Sequence, residues 1–404
     1  MPLLERKIDT LLVIRWSILG ILLGMFKMNV VMSISMAMFG VGAILHIYYN
    51  RPKSNGNYAY YILIALFAWM IISAGWSENQ SYYLSRMRIK LPLLLCPLFA
   101  LFLPKFSAYD FRRIAYALFI LLFIASLIVI YQYIIHMDAY SEAMLRGEPI
   151  PVPFYNHIRF SLFYAVGCIF GLGLYLYERN KLGLFLSMYF FIFVHILAVR
   201  SGIIAVYIVF AFSFLYFVLN SKKYFESIVM VLIIGTAIFL SSIYIPSLRS
   251  KIAYMKYDWE QYQQQNSKAY SDGERINSIM HGIKLAKKNL LLGVGEGDVE
   301  DEMKLEIYGT NLPAEDTYIK MPHNQFVWTF AATGILGIVL FIGFFLASIY
   351  KSFAEKNLYL FLFTIVAIAS MMVEQTLETQ LGVAWFLIPF FIFNQITCPP
   401  VSAQ

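Results

Sequence analysis

Residues 323–350 read HNQFVWTFAATGILGIVLFIGFFLASIY. After His323, Asn324 and Gln325 the run is mainly apolar, and no acidic or basic side chain appears before Lys351. An α-helix needs about 20 apolar residues to cross the hydrocarbon of a bilayer. Backbone polar groups in lipid must also be satisfied internally, which a helix achieves. The run is therefore expected to be a transmembrane helix. Working outward by the same criterion gives about twelve spans. They lie roughly at 10–26, 28–49, 58–76, 91–104, 111–136, 157–177, 182–199, 201–219, 225–245, 323–350, 357–373 and 380–397. The fourth is short enough to be tilted or re-entrant. The break near Lys27 is so tight that the first two spans must form a hairpin.

Composition supports an all-α integral membrane protein. The chain is 60% hydrophobic and 14% charged, with mean hydropathy +0.67, whereas soluble domains carry about 25% charged residues. Its 29 Tyr and 35 Phe suit interfacial belts and helix packing. The net charge of +7 includes no long basic run, which argues against nucleic acid as a partner and leaves membrane lipids. Cys96 and Cys168 fall in apolar segments and Cys398 near the C-terminus, a scatter that suits neither a disulfide framework nor a cysteine metal site. Arg15 interrupts the first apolar run and no small-residue cleavage site follows, so a cleaved signal is not expected. With the N-terminus cytoplasmic, the inner segments carry thirteen Lys and Arg, from Arg6 to Lys356. The outer short segments carry six: Lys27, Arg86, Arg88, Lys90, Arg146 and Arg200. That bias puts both termini inside and the long polar segment 246–322 outside.

The chain then divides into spans one to nine (1–245), an outer loop or lid (246–322), and the last three spans with the tail (323–404). Within the loop, Ser271-Asp272-Gly273-Glu274 reads as a capping box. Ile276, Ile279, Met280, Ile283 and Ala286 follow at helical spacing, with Lys287 and Lys288 late and Gly293 beyond. An amphipathic helix over about 272–290, lying against the membrane domain, is expected. A second outer segment, 137–156, contains Pro149-Ile150-Pro151-Val152-Pro153.

Several residues at the outer face carry candidate chemistry, each beside a plainer reading. Arg275 falls in the first turn of the amphipathic helix, where the dipole opposes a cation unless it pairs or an anion binds. Its alternative is an ordinary surface arginine. Arg200, in Ala198-Val199-Arg200-Ser201-Gly202, sits between two apolar runs. There it needs a partner or a wet cavity, or it snorkels to headgroups. His323, after Pro322, projects at the start of a span and can accept a proton near neutral pH; capping is the plainer role. His157 and Arg159 open the sixth span, with Arg159 a further cation or only an anchor. Glu374 and Glu378 are four apart and would share a helix face. They would neutralise the arginines or orient a hydroxyl, unless they only form a polar turn. Asn324 beside His323 is a further orienting candidate. The acids Asp298, Glu300, Asp301 and Glu302 read as a solvated face rather than a metal site. Gly293-Val294-Gly295-Glu296-Gly297 reads as a turn, and Gly334 with Gly337 as helix packing. Arg86, Arg88 and Lys90 form a basic cluster suited to anionic headgroups.

Several arginines and a histidine without a metal cluster suit transfer from a lipid-linked diphosphate sugar. The leaving diphosphate needs charge stabilisation, and the acceptor hydroxyl needs a base. Four features resemble the O-antigen ligase and polymerase superfamily of bacterial envelope glycosyltransferases. They are Val199-Arg200-Ser201-Gly202; Gly273-Glu274-Arg275 with the Leu292–Gly297 segment; Pro322-His323-Asn324-Gln325 with Gly334 and Gly337; and the long loop between the ninth and tenth spans. The resemblance covers most of the chain in layout and is specific in the C-terminal half. It implies a GT-C-like fold and metal-independent, inverting transfer without a cofactor. The donor would be a glycan on undecaprenyl diphosphate, and the acceptor in a ligase lipid A–core. The protein would lie in the bacterial inner membrane with its active site facing the periplasm. Carried over, Arg200 and Arg275 would hold the diphosphate and His323 would be the general base or an acceptor-orienting group, with Arg159 and Glu374 added from the residue reading. A polymerase extending the lipid-linked glycan is the near alternative. A transporter or flippase, the alternative of another class, would place ionisable groups at mid-membrane, where no acid is evident. A non-catalytic scaffold would tolerate changes at Arg200, Arg275 and His323. A metal-dependent GT-C transferase would carry acids in its first outer loop, which here is a turn at Lys27.

Overall fold

The computed structural model describes residues 9–221, 243–263, 271–309 and 320–396, with isolated positions between 228 and 239. Most of the expected ninth span (225–245) and Cys398 lie outside the described residues. Among those described, the regular elements are helices, with one isolated bridge between Phe106 and Ile396. In chain order they are α1 (Thr10–Gly24), α2 (Asn29–Asn50), α3 (Tyr58–Ile72), α4 (Gln80–Lys90), α5 (Pro92–Ala100), α6 (Ala108–Ile135), α7 (Met137–Leu145) and α8 (His157–Glu178). There follow α9 (Lys181–Leu197), α10 (Arg200–Ser221), α11 (Pro246–Gln263), α12 (Ser271–Lys288), α13 (Val299–Tyr308), α14 (Gln325–Ala354), α15 (Leu358–Met371) and α16 (Gln380–Asn394).

Among the described residues, six segments are long and apolar enough to cross a membrane: α2, α3 with its following turn, α6, α8, α10 and α14. Four shorter apolar helices, α1, α9, α15 and α16, accompany them. The chain is thus a multi-pass membrane protein, helical throughout its described regular elements. Helix α5 rises only about 14 Å at 1.5 Å per residue, too little to cross alone. Leu91, with helical φ −49° and ψ −37°, joins α4 to it.

The helices begin where the sequence supplies caps. Asn57, Asn79, Asn156, Asn180, Asn324 and Asn357 each accept a backbone N–H from the first turn of the helix that follows. A side-chain oxygen there satisfies donors the helix leaves free, and near lipid no water replaces it. Helix α8 is the central post: 89% of its most apolar window is buried, against 33–44% for the other candidate spans. Gly202 lets α10 close on it, because a Cβ there would lie 2.5 Å from Ser161.

The long loop is tied to the bundle. Leu285 and Ala286 of α12, with Val299 and Met303 of α13, pack on Trp328, Ala331 and Ala332 of α14 in a second core. The amphipathic helix expected over about 272–290 runs Ser271–Lys288. Its Met280 and Ile283 face outward, 50% and 37% exposed. The side chains of Ser271 and Asp272, on which the expected capping box depends, lie outside the described residues.

Helix α14 is broken at Gly334, with φ 65° and ψ −161°. The Leu290–Gly295 segment enters the break: Val294 and Gly295 donate their N–H groups to Ala331 and Ala332 carbonyls at 2.9 Å, and Ile335 N–H donates to Leu290 at 2.9 Å. These backbone donors of the glycine segment therefore serve the helix break. Gly334 adopts a backbone conformation that is essentially glycine-only, and a Cβ would meet Leu291 O at 2.3 Å. Gly334→Ala is expected to destabilise the protein by about 1–3 kcal/mol from backbone strain alone, read as a lower unfolding temperature in detergent. Gly343→Ala, where a Cβ meets nothing within 4 Å, is the control; equal melting of the two variants would refute the role given to the break.

Candidate functional site

One cavity of about 520 Å³ opens where α8, α10, α11 and α12 converge with the start of α14 and the segment after α15. Its polar lining includes His157, Arg200, Lys251, Arg275, His323 and Glu374. Its apolar wall includes Ile158, Leu197, Val199, Ile204, Ile276 and Ile279. Residues distant in sequence thus line one chamber with three cations and one carboxylate.

Each polar group is placed by local structure. Ala198 turns the chain with φ 50°, so that α10 starts at Arg200 with its side chain on the cavity. Arg275, on α12, has Nη2 3.7 Å from Glu374 Oε1, while its buried Nε has no hydrogen-bond partner among the described residues. His323 is fixed from two sides. Its backbone N–H donates to Ser278 Oγ at 3.3 Å, and Nδ1 lies 2.9 Å from the Met321 carbonyl. A carbonyl only accepts, so Nδ1 carries the hydrogen and Nε2 holds the lone pair. Burial lowers the proton affinity of His323 below the usual histidine range, with Glu374 and the Met321 carbonyl opposing and Arg275 and Lys320 assisting. The ring is therefore neutral near pH 7. The charges of Lys251 and Arg275 both reach His157.

Other sequence candidates fall elsewhere. Arg159 is buried in α8 and does not line the cavity. Its Nε and Nη1 have no hydrogen-bond partner among the described residues, and the charge of Glu374 acts on it. Asn324 is occupied in architecture. Its Oδ1 accepts from Phe326 and Val327, and its Nδ2 donates to the Met372 carbonyl at 2.9 Å, which ties α14 to the Glu374 segment.

Glu374 and Glu378 do not share a helix face. Helix α15 ends at Met371, and only a single 3₁₀ turn, Thr376–Glu378, follows. Glu378 instead meets Lys90 at 2.9 Å. Lys90, expected among headgroups, is fully buried. Asp298 accepts the N–H groups of Glu78 and Asn79, both at 2.8 Å, and Asn79 donates to Asp301 at 2.8 Å. These acids anchor α13 to the start of α4.

Sequence reading missed Lys251 and Trp259, which line the cavity from α11. Their spacing of two helical turns was the available signal.

Two guanidinium groups and a histidine thus share one chamber at the ends of apolar helices, an arrangement chemically suited to an anionic group. Residues 184–342 match the protein-family model described as O-antigen ligase. The matched segment contains Arg200, Arg275, His323 and Gly334. Compared with curated proteins, the chain matches none. The family-model match, together with the apolar helices, supports a multi-pass membrane protein of O-antigen ligase or polymerase type.

Proposed function

We propose that the protein is an O-antigen ligase, transferring a glycan from undecaprenyl diphosphate to lipid A–core at the periplasmic face of the bacterial inner membrane. The convergence of Arg200, Arg275, His323 and Glu374 on one cavity carries the reading. The lining gathers Arg200, Lys251 and Arg275 beside Glu374, cationic groups of the kind that bind a diphosphate diester. His323 Nε2 takes the proton of the acceptor hydroxyl as its oxygen bonds to the anomeric carbon. The bond from that carbon to the diphosphate breaks on the opposite side, and the electron pair leaves with the phosphate. The configuration inverts. Arg200 and Arg275 hold the departing charge, and Glu374 stabilises the imidazolium. The guanidinium groups supply the positive charge, so the reaction needs no metal. A GT-C-like arrangement, with residues 246–322 acting as a lid between spans one to nine and the last three, belongs to the same proposal.

The test is reconstitution of the purified protein with undecaprenyl-diphosphate glycan and lipid A–core in the presence of a chelator. Glycan on lipid A–core, undiminished by chelation, is expected. Lengthening of glycan on the carrier would select a polymerase, movement of intact donor across the bilayer a transporter, and loss of activity on chelation would remove the metal-independent mechanism.

A further inference from the structure

Lys90 and Glu296 are both completely buried, with Nζ 2.7 Å from Glu296 Oε2. The same ammonium lies 2.9 Å from Glu378 Oε1. Gln325 Nε2 donates to that Glu378 oxygen at 3.0 Å, and Gln325 Oε1 accepts the Leu377 N–H at 2.7 Å. Arg86 Nη1 donates to the Glu378 carbonyl at 3.0 Å. Four segments meet at this point: α4, the glycine-rich segment, the start of α14 and the Thr376–Glu378 turn. Two of them carry cavity residues, because His323 precedes Gln325 by two positions and Glu374 precedes Glu378 by four.

Such a cluster is a poor source of stability. Desolvation offsets most of the attraction, and apolar residues of similar volume often do as well. Glu296 Oε1 and Glu378 Oε2 also have no hydrogen-bond partner among the described residues. What the cluster does supply is a fixed geometry between two segments that end in the cavity.

We propose that Lys90 is a positioning residue for glycan transfer, holding Glu296 and Glu378 together so that the Glu374 carboxylate is fixed relative to His323 and Arg275. This rests on His323 being the base. The charged and titratable groups that face His323 are Glu374, Arg275 and Lys320, with His157, Arg200 and Lys251 across the cavity. Lys320 is itself paired with Glu274. Glu374 is the carboxylate that raises the proton affinity of His323. Without Lys90 the Glu378 carboxylate loses its ion pair and the turn is held only by Gln325 and Arg86, so Glu374 is held less firmly and His323 becomes harder to protonate. Arg200 is anchored separately, through the approach of α10 to α8 at Gly202.

The experiment compares wild type, Lys90→Met, Glu374→Gln and the double variant in the reconstituted assay, with the folded fraction measured in parallel. Lys90→Met is expected to lower kcat by about 10²-fold, the scale of a misplaced catalytic group, with donor KM nearly unchanged. The acid limb of kcat should move to lower pH. In the Glu374→Gln background Lys90→Met should add no further shift, because it acts through Glu374. Where Lys90→Met does not fold, the neutral variant Lys90→Met, Glu296→Gln, Glu378→Gln leaves no unpaired buried charge and should shift the limb in the same direction. An unchanged kcat and limb in folded variant, or additive shifts in the double variant, would overturn the proposal. If wild type transfers no glycan, the functional reading fails, and positioning is then read from the His323 imidazole titration by NMR. A lower midpoint in Lys90→Met supports the positioning role, and an equal midpoint removes it.

Discussion

Replacing His323 by alanine is expected to lower kcat for glycan transfer by about 10²–10⁴-fold, the range of a positioned general base, while donor binding stays close to wild type. The diphosphate would be held by Arg200 and Arg275, which the substitution leaves in place. The pH dependence distinguishes a base from a packing residue. Burial holds the proton affinity of His323 below the ordinary histidine value of 6.5, so the active, neutral ring predominates at pH 7. Activity should fall as pH drops through the lowered value, where the ring charges and Nε2 loses its lone pair. The limb belongs to His323, and His323→Ala should abolish it in whatever activity remains. Single-turnover rates across the acidic range measure this. A variant with wild-type kcat, or one that retains the limb, removes the base assignment.

Much of the fold was legible because lipid imposes a simple constraint: the apolar run after His323 could only be a helix. The site was legible in identity but not in convergence. Arg200, Arg275 and His323 are each conspicuous where they stand, since charge near hydrocarbon requires a reason. Nothing in their spacing says that three helix starts face one chamber. The misreadings share a cause. Lys90 reads as a lipid-facing lysine because its partner Glu296 lies 206 residues away. Glu378 reads as a helical neighbour of Glu374 because a spacing of four implies a helix, whereas Gln325 and Lys90 draw it into a separate turn. The glycines around Val294 do form the expected turn, but the helix break they enter was not visible in their spacing. Local periodicity reports the face of an element and is silent about tertiary partners.

Arg275→Ala is expected to lower kcat by about 10²–10³-fold, the loss on removing one group that stabilises developing charge. Arg275→Lys should recover only part of it. Lysine keeps the charge but not the planar fork that meets two phosphate oxygens at once. The buried Nε of Arg275, without a hydrogen-bond partner among the described residues, is a donor still to be satisfied. A second consequence separates charge from geometry. Arg275 lowers the proton affinity of His323, whereas Glu374 raises it. Removing the arginine charge should therefore move the acid limb to higher pH, and Glu374→Gln should move it lower. Arg275→Lys, with its charge retained, should leave the limb near wild type even though kcat falls. Opposite shifts from two residues whose side chains lie 3.7 Å apart cannot come from a general loosening of the cavity, which would move both limbs the same way. Equal shifts in Arg275→Ala and Glu374→Gln would mean that the field of these two groups does not act on His323, and the base would have to be sought at His157.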